Sequence, residues 1–378
     1  MKQACISHYL RGGASKSLLI LLQQLPSRFE SRVFAQWYHE PNSFQRAGIP
    51  IVPLRSRPLP LRLLGVPAPT LGTYIRWACR LIYLADTVRQ IQQTKPDIVI
   101  LNGLTNLHYA PFFKNSGIVL FAREIACDSS LDKHLVTFLI NRFVNHVICI
   151  SEHERDALSG VRRPISVIHN PNDREIPSQL HVRRRSVGDA VKVGIFGQIY
   201  EPKGQYLLVE AMASYKQCFD EANIRFLIFG ENLPGQRKNL DELSRLTQQL
   251  NCQHIVAFPG WADDPHEVMQ ELDIVLRTDL TGSPWGRDVI EAMSHGLPVI
   301  ASGQSEVFIK HGQTGRLFPP GNVEAMVRHI LDLAKNPQER ERYGTRALEF
   351  ARQHFSPSLH AQRVASILDS VAKHRARV

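Results

Sequence analysis

Three stretches of this chain combine glycines with cations or carboxylates at spacings that suit an anionic ligand. Arg11-Gly12-Gly13-Ala14-Ser15 follows an opening apolar run and leads into a helical stripe of Leu18, Leu19, Leu21, Leu22 and Leu25. Paired glycines let backbone amides approach a ligand, and a helix N-terminus presents unpaired N–H groups to an anion. The same turn also serves as an ordinary strand-to-helix connection. Phe196-Gly197-Gln198, followed by Glu201-Pro202-Lys203-Gly204, closes a second apolar run. A lysine there stands near the carboxyl edge of a parallel sheet and can neutralise a diphosphate; its plainer reading is an exposed loop lysine. The third stretch runs from Ser283-Pro284-Trp285-Gly286-Arg287-Asp288 through Glu291 to Gly296. Gly286 admits close approach at a helix start, the amides of the next residues can hold phosphate, and Glu291 lies about a turn and a half along. A carboxylate at that point can accept both hydroxyls of a ribose.

Such groups need a sheet to position them, and the pattern supplies two. Short β-branched runs alternate with amphipathic helices throughout, the arrangement of parallel sheets covered by helices. The strand candidates in the first half are Gln3 to His8, Ser31 to Gln36, Ile49 to Leu54, Asp97 to Asn102, Gly117 to Arg123, His146 to Ile150 and Ile165 to His169. In the second half they are Val191 to Gly197, Arg225 to Gly230, His254 to Phe258, Asp273 to Thr278, Pro298 to Ala301 and Arg316 to Phe318. Runs such as IVIL and VGIF predict strands buried on both faces. Between the halves, Pro171 to Ala190 loses apolar periodicity and holds three consecutive arginines, so it reads as a linker. The expected organisation is a first domain over 1–180, a second over 181–355, and a terminal helix over 356–378. That helix has Ser356-Pro357 at its start and a stripe of Leu359, Val364, Ile367, Leu368 and Val371, and it is expected to pack back on the first domain.

At 378 residues, 43% apolar and 21% charged, the chain is long enough for two cores and too ordinary in composition for a fibrous or disordered protein. The six cysteines form no C-x-x-C pair, so zinc and redox couples are not expected and the thiols read as reduced. A secretory leader and a membrane span are not expected either, which points to a cytoplasmic protein. Residues 1–180 hold 21 basic and 12 acidic side chains, residues 181–378 hold 24 and 23. The first domain therefore faces something anionic, whether a phosphorylated substrate, an acidic lipid surface or a nucleic acid. No nucleic-acid-binding signature supports the last, so no nucleic-acid partner is expected.

The third stretch resembles the donor-binding segment of retaining glycosyltransferase family 4, in which a Glu, a glycine turn and a second Glu after seven residues precede Ala-Met, Gly and Leu-Pro-Val-Ile-Ala-Ser. Gly12-Gly13, Val193 to Lys203-Gly204, and Gly312-Gln313-Thr314-Gly315-Arg316-Leu317-Phe318 match further family motifs in the same order. The resemblance implies a GT-B fold: α/β, with two facing Rossmann-like doubly wound domains, a nucleotide sugar in the second and an acceptor in the first. It implies transfer of a sugar from a UDP- or GDP-linked donor, which is a co-substrate rather than a cofactor, to a hydroxyl of a glycan, lipid-linked or small-molecule acceptor. The anomeric configuration is retained and no metal is needed; the chain contains no Asp-x-Asp. The donor-binding set implied is Gly12, Gly13, Gly197, Gln198, Lys203, Ser283, Gly286, Arg287, Asp288 and Glu291, with Lys203 also catalytic. Gly12 and Gly13 would crowd the phosphate from the opposite domain.

Two positions depart from the family pattern. Gln198 stands where Arg is usual, and Ser283 stands in place of the first Glu, which leaves Arg277, Arg287 or a first-domain residue to compensate. Two other readings stay open: a nucleotide-sugar-binding partner with weakened catalysis, and a GT-B epimerase or phosphorylase. Phe121-Ala122-Arg123-Glu124 aligns with a strand end that often carries a His near the reacting centre. Arg123 and Glu124 are thus catalytic or acceptor-binding candidates, or else a solvated pair. His8, His108 and His169 also follow strand ends and read as structural histidines. Finally, Arg55 to Arg62 (RSRPLPLR) precedes a stripe of Leu71, Ile75, Ala78, Leu81, Ile82, Ala85 and Val88, with Arg76, Arg80 and Arg89 off it. This is either a core-facing helix with a basic back or a peripheral contact with an anionic membrane, which would be the inner face for a cytoplasmic protein.

Overall fold

A computed structural model describes residues 1–8, 10, 13–36, 43–63, 68–126, 130–179, 188–232 and 240–375. The chain divides into two units, Met1–Glu175 with Ser356–Val378, and Ile176–Phe355. The first carries a seven-stranded sheet in the order β3-β2-β1-β4-β5-β6-β7. Its strands are β1 (Lys2–Ile6), β2 (Glu30–Ala35), β3 (Ile51–Pro53), β4 (Ile98–Asn102), β5 (Gly117–Ala122), β6 (His146–Cys149) and β7 (Ile165–Val167). All pairings are parallel. Every residue of β4 and β5 is buried, as expected of strands covered on both faces. Alternate side chains of β5 feed two cores: Ile118, Leu120 and Ala122 face the helices Leu84–Gln93 and Ser130–Phe143, while Val119 and Phe121 face the other layer.

That other layer holds the helices Gly13–Gln24 and Pro357–Arg375. The terminal helix is capped by Ser356, whose Oγ accepts the Leu359 N–H at 3.3 Å, and it buries Val364, Leu368 and Val371. Leu359, expected on the buried stripe, is exposed. The division falls at 175/176 rather than at 180/181, because Ile176 already packs against the second unit's core and Arg352 Nη1 donates to the Ser178 carbonyl at 3.3 Å.

The second unit has a six-stranded sheet, all parallel, in the order β10-β9-β8-β11-β12-β13. Its strands are β8 (Val191–Phe196), β9 (Ile224–Phe229), β10 (Val256–Gly260), β11 (Ile274–Arg277), β12 (Val299–Ser302) and β13 (Gly315–Phe318). One face is covered by the helices Gln205–Glu221 and Val323–Lys335, the other by Arg287–Ser294 and Pro337–His354. In both sheets the strand order reverses around the first strand, β1 or β8. In open α/β sheets, ligands bind at the carboxyl ends of the strands flanking that reversal.

The expected helix through 71–88 is instead three pieces: Leu71–Arg80, a 3-10 turn Leu81–Tyr83, and Leu84–Gln93. Only the last buries residues in the core, Val88 and Ile91, while Trp77 of the first packs against that core partly buried. The piece Leu71–Arg80 has no buried residue, so the core-facing reading of its stripe is wrong.

Candidate functional site

In the second unit the reversal lies between β8 and β11. Phe196-Gly197-Gln198 leaves β8 into the turn Glu201–Lys203, and Thr278-Asp279 leaves β11. The two exits are laced together: Thr278 Oγ1 donates to the Lys203 carbonyl at 2.7 Å, and Leu280 N–H to the Pro202 carbonyl at 2.8 Å. Gly204 makes this packing possible. Its φ is +70°, and a Cβ there would overlap the Thr278 carbonyl.

This lacing brings Lys203 Nζ to 2.8 Å from Asp279 Oδ2; the lysine side chain keeps 28% of its surface exposed, the aspartate 3%. Arg277 reaches the same Asp279 oxygen with Nη2 at 3.1 Å and both Asp288 oxygens with Nη1 at 2.9 Å. Its Nε donates to the Ser283 carbonyl at 2.9 Å. Burial opposes charge on Asp279, yet Arg277 and Lys203, helped by bonds from Lys203 and Thr281, outweigh it and hold the carboxyl below its ordinary pKa. Burial likewise opposes the guanidinium, and Asp288 and Asp279 raise Arg277 above its usual value.

The chain of charges ends at the helix Arg287–Ser294, whose N-cap Gly286 has extended backbone and makes no side-chain cap bond. A Cβ at Gly286 would strike the Asp288 carboxylate and come within 2.8 Å of Arg277 Nη1, so the ion pair requires glycine here for space rather than for φ. One turn on, Arg287 Nε and Nη2 donate to Glu291 Oε1 at 3.2 and 3.1 Å, and both side chains are largely buried. The structure thus gathers Lys203, Gly286, Arg287, Asp288 and Glu291 around one strand-end site. Gln198 is exposed, its carbonyl accepting Gln205 Nε2 at 3.0 Å. Ser283 contributes its carbonyl to Arg277. Arg277 is committed to two aspartates, so it does not stand open as a replacement cation.

In the first unit, Gly12 lies outside the described residues, while Gly13 opens its helix exposed and accepts the Ser17 hydroxyl at 3.0 Å. Arg123 is buried: Nε donates to Asn102 Oδ1 at 2.6 Å, Nη1 to Asn170 Oδ1, and the guanidinium lies 5.0 Å from the Phe121 ring. This corrects the solvated-pair reading. Glu124 accepts the Leu104 N–H at 3.0 Å, and burial, only partly offset by that bond and by Arg123, raises its pKa. His8 follows β1, with Nδ1 donating to Asn106 Oδ1 at 2.5 Å and Nε2 3.3 Å from the Tyr109 hydroxyl. His108 lies beside it, ring centroids 5.8 Å apart. His169 Nδ1 donates to the Ile150 carbonyl at 2.8 Å, and His360 Nδ1 to the His169 carbonyl at 2.9 Å.

Burial lowers the pKa of His8 to about 3, His108 to about 4 and His360 to about 3. The unfolded chain takes up protons below about pH 6.5 while these folded histidines do not, so stability is lost as pH falls from there toward 3. The expected slope is about 1.4 kcal/mol per pH unit for each histidine. The thermal midpoint of the first unit should drop between pH 7.5 and 5, and His360→Asn, which keeps an N–H near Nδ1, should flatten that drop. A pH-independent midpoint over this range would remove the claim that these rings are neutral.

The family model Glycosyltransferase Family 4 matches residues 11–176, and Glycosyl transferases group 1 matches residues 180–350. The chain belongs to the group 1, family 4 glycosyltransferases. This family member is 27% identical over 187 residues to a phosphatidyl-myo-inositol mannosyltransferase of Mycobacterium leprae, a match covering 48% of the chain and 47% of that protein. It is 25% identical over 199 residues to the lipopolysaccharide core biosynthesis glycosyltransferase LpsE of Rhizobium meliloti, covering 52% and 55%. It spans about half the length of these curated relatives. Anabaena HepE in complex with UDP shares the fold with a TM-score of 0.79 at 22% identity, covering 98% of this chain and 100% of that one. Sucrose-phosphate synthase of Thermosynechococcus elongatus gives 0.75 at 17%, covering 98% and 99%. The fold is GT-B: two Rossmann-like parallel-sheet domains.

Asp279 escaped the sequence reading of this glycosyltransferase family member. Its only local signal is Thr281, two residues on, whose N–H donates to Asp279 Oδ1 at 3.0 Å in a side-chain-closed turn. The pairing of Arg287 with Glu291 was readable in principle, since residues four apart meet on one helix face.

Proposed function

We propose that this chain is a retaining, metal-independent glycosyltransferase that binds a UDP- or GDP-linked sugar in its second unit and passes the sugar to a hydroxyl of a glycan or lipid-linked acceptor. The observation that carries the reading is Lys203 held by Asp279 and, through Arg277 and Asp288, tied to the start of the helix Arg287–Ser294. A partly exposed ammonium and the first amides of a helix are the groups that stabilise a departing diphosphate without a metal. Family membership supports the same assignment. The acceptor oxygen forms its bond to the anomeric carbon on the face from which the diphosphate oxygen leaves, and the hydroxyl proton passes to that diphosphate. Glu291, oriented by Arg287, receives the ribose hydroxyls. Arg123 and Glu124, at the end of β5, are proposed to bind the acceptor.

A thermal-shift screen against UDP, GDP and ADP tests the donor. A nucleotide at 100 times its Kd stabilises the folded state by about 2.7 kcal/mol, so UDP or GDP should raise the midpoint by several degrees. With the matching nucleotide sugar and a membrane extract, nucleoside diphosphate should be released only when extract is present. No shift with any nucleoside diphosphate removes the reading, and a shift without turnover assigns the chain to a binding role.

A further inference from the structure

Two histidines far apart in the second unit's sequence meet beside Glu291. The helix Pro265–Met269 lies between β10 and β11, and Asp264 caps it, its Oδ1 accepting the His266 N–H at 3.0 Å. That cap and Pro265 in the first turn fix the backbone of His266, whose side chain is buried. His295 closes the helix Arg287–Ser294, its N–H shared between the Glu291 and Ala292 carbonyls at 3.1 and 3.0 Å. The rings meet with His266 Nδ1 2.8 Å from His295 Nε2 and their centroids 5.0 Å apart.

The packing around them is apolar. Met269 and Leu272 belong to one core with Val289, Ile290 and Met293. An aliphatic side chain at position 266 would join that core without a polar partner, whereas a buried imidazole must find one. A bond between two ring nitrogens admits a single proton, so one ring offers a bare nitrogen and the other an N–H. His295 therefore controls which nitrogen of His266 carries a proton, a choice that a lone histidine leaves open.

The group within reach is Glu291. One of its carboxylate oxygens and a ring nitrogen of His266 lie within 4.8 Å of each other, and the two residues are 4% and 3% exposed. Two hydrogen bonds of about 2.8 Å that meet on one oxygen at the tetrahedral angle span about 4.6 Å. A single hydroxyl can thus touch both groups. The chemistry matches as well as the distance. Glu291, with Arg287 on Oε1, can only accept, so a hydroxyl bound to it gives up its proton and keeps lone pairs that need a donor. An imidazole N–H supplies that donor.

We propose that His266, held by His295, is a specificity-determining residue for the sugar donor. Its Nδ1 takes the proton of His295 Nε2, which leaves the proton of its own ring on Nε2. That N–H donates to the ribose hydroxyl whose proton Glu291 accepts, so the site selects a ribonucleotide over its deoxy form. His295 is a positioning residue, acting through His266. This role deepens the donor assignment made above and rests on it.

The test is isothermal titration calorimetry of the full chain with UDP and GDP, and with the 2′- and 3′-deoxy forms of whichever binds. The wild type should bind the ribonucleotide at least about 10-fold more tightly than one of the two deoxy forms. His266→Leu, which keeps the packing, should weaken the ribonucleotide about 5- to 10-fold and leave that deoxy form within about twofold. His266→Gln, which keeps an N–H, should restore part of the preference, and His295→Phe should show a smaller loss of the same kind. His295 is only half-buried, so His295→Phe carries the test should His266→Leu fail to fold. Equal weakening of both nucleotide forms would show a purely structural pair. An undiminished preference in the variants would show that Glu291 reads the hydroxyl alone. Either result overturns this role while the donor assignment stands. A wild type that binds no nucleoside diphosphate removes the donor assignment and this role with it. Zn²⁺ that raises the thermal midpoint of the wild type but not of His266→Leu would also overturn it, since the ring nitrogens would then belong to a metal.

Discussion

Lys203→Ala should lower kcat/KM for the nucleotide-sugar donor by about 10²- to 10³-fold, the usual cost of losing one preorganised group that stabilises charge in the transition state. On the proposed reading, much rests on this one side chain. Gln198 offers no cation at its strand end, and Arg277 is bound up with Asp279 and Asp288. Lys203 is also held in place, its backbone carbonyl bonded to Thr278 and its ammonium to Asp279. Because the lysine is 28% exposed and Asp279 retains Arg277 and Thr281, the variant should lose no more than about 1 kcal/mol of stability. Lys203→Arg should recover part of the rate, since charge is kept while the reach changes. Steady-state kinetics on folded protein decides the matter. A Lys203→Ala enzyme within a few-fold of wild type would mean that the helix amides carry the diphosphate alone.

Much of the scaffold behind this site was legible in the chain, and the reason is physical. All thirteen strand candidates correspond to strands, within a residue or two at their ends: central ones such as β4 and β5 are apolar throughout because both faces are covered, while the edge strands β3 and β7 show through their β-branched residues. Gly286 was legible as a point of close approach, although what approaches it is the Asp288 carboxylate, whereas the packing of Gly204 on the Thr278 carbonyl carried no local signal. The helix Leu71–Arg80 was misread because periodicity reports that a helix has an apolar face and is silent on what covers it. Its stripe would suit a buried core or a solvent-facing surface equally, and only its exposure separates them. The ion-pair relay was illegible for another reason. Lys203 is brought to Asp279, 76 residues away, by a strand order that places β8 beside β11, and no local pattern encodes that contact.

Arg277→Ala should be the most destabilising single change in the second unit, at about 3–5 kcal/mol, the range found when one partner of a buried ion pair is removed. The guanidinium makes four bonds: two to Asp288, one to Asp279 and one to the Ser283 carbonyl. Deleting it leaves two carboxylates that are almost fully buried. In the wild type, Asp279 has a depressed pKa, so its contribution is present above the unfolded value, near 3.8, and is lost only as pH falls through the folded one. In the variant, burial opposes the Asp279 charge with only Lys203 and Thr281 to resist it, and the folded pKa moves upward. Protonation then relieves the mismatch, so the stability gap between the two proteins should narrow as pH drops from 7 toward 4. Arg277→Lys should close only part of the gap, since one ammonium cannot span three acceptors. Adding Asp288→Asn to Arg277→Ala should recover stability by removing an unpaired buried charge. Urea titrations at both pH values measure these differences. A loss below about 1 kcal/mol at pH 7 would show that water takes over the guanidinium's bonds, and the relay would then be no part of what holds Lys203 against the helix start.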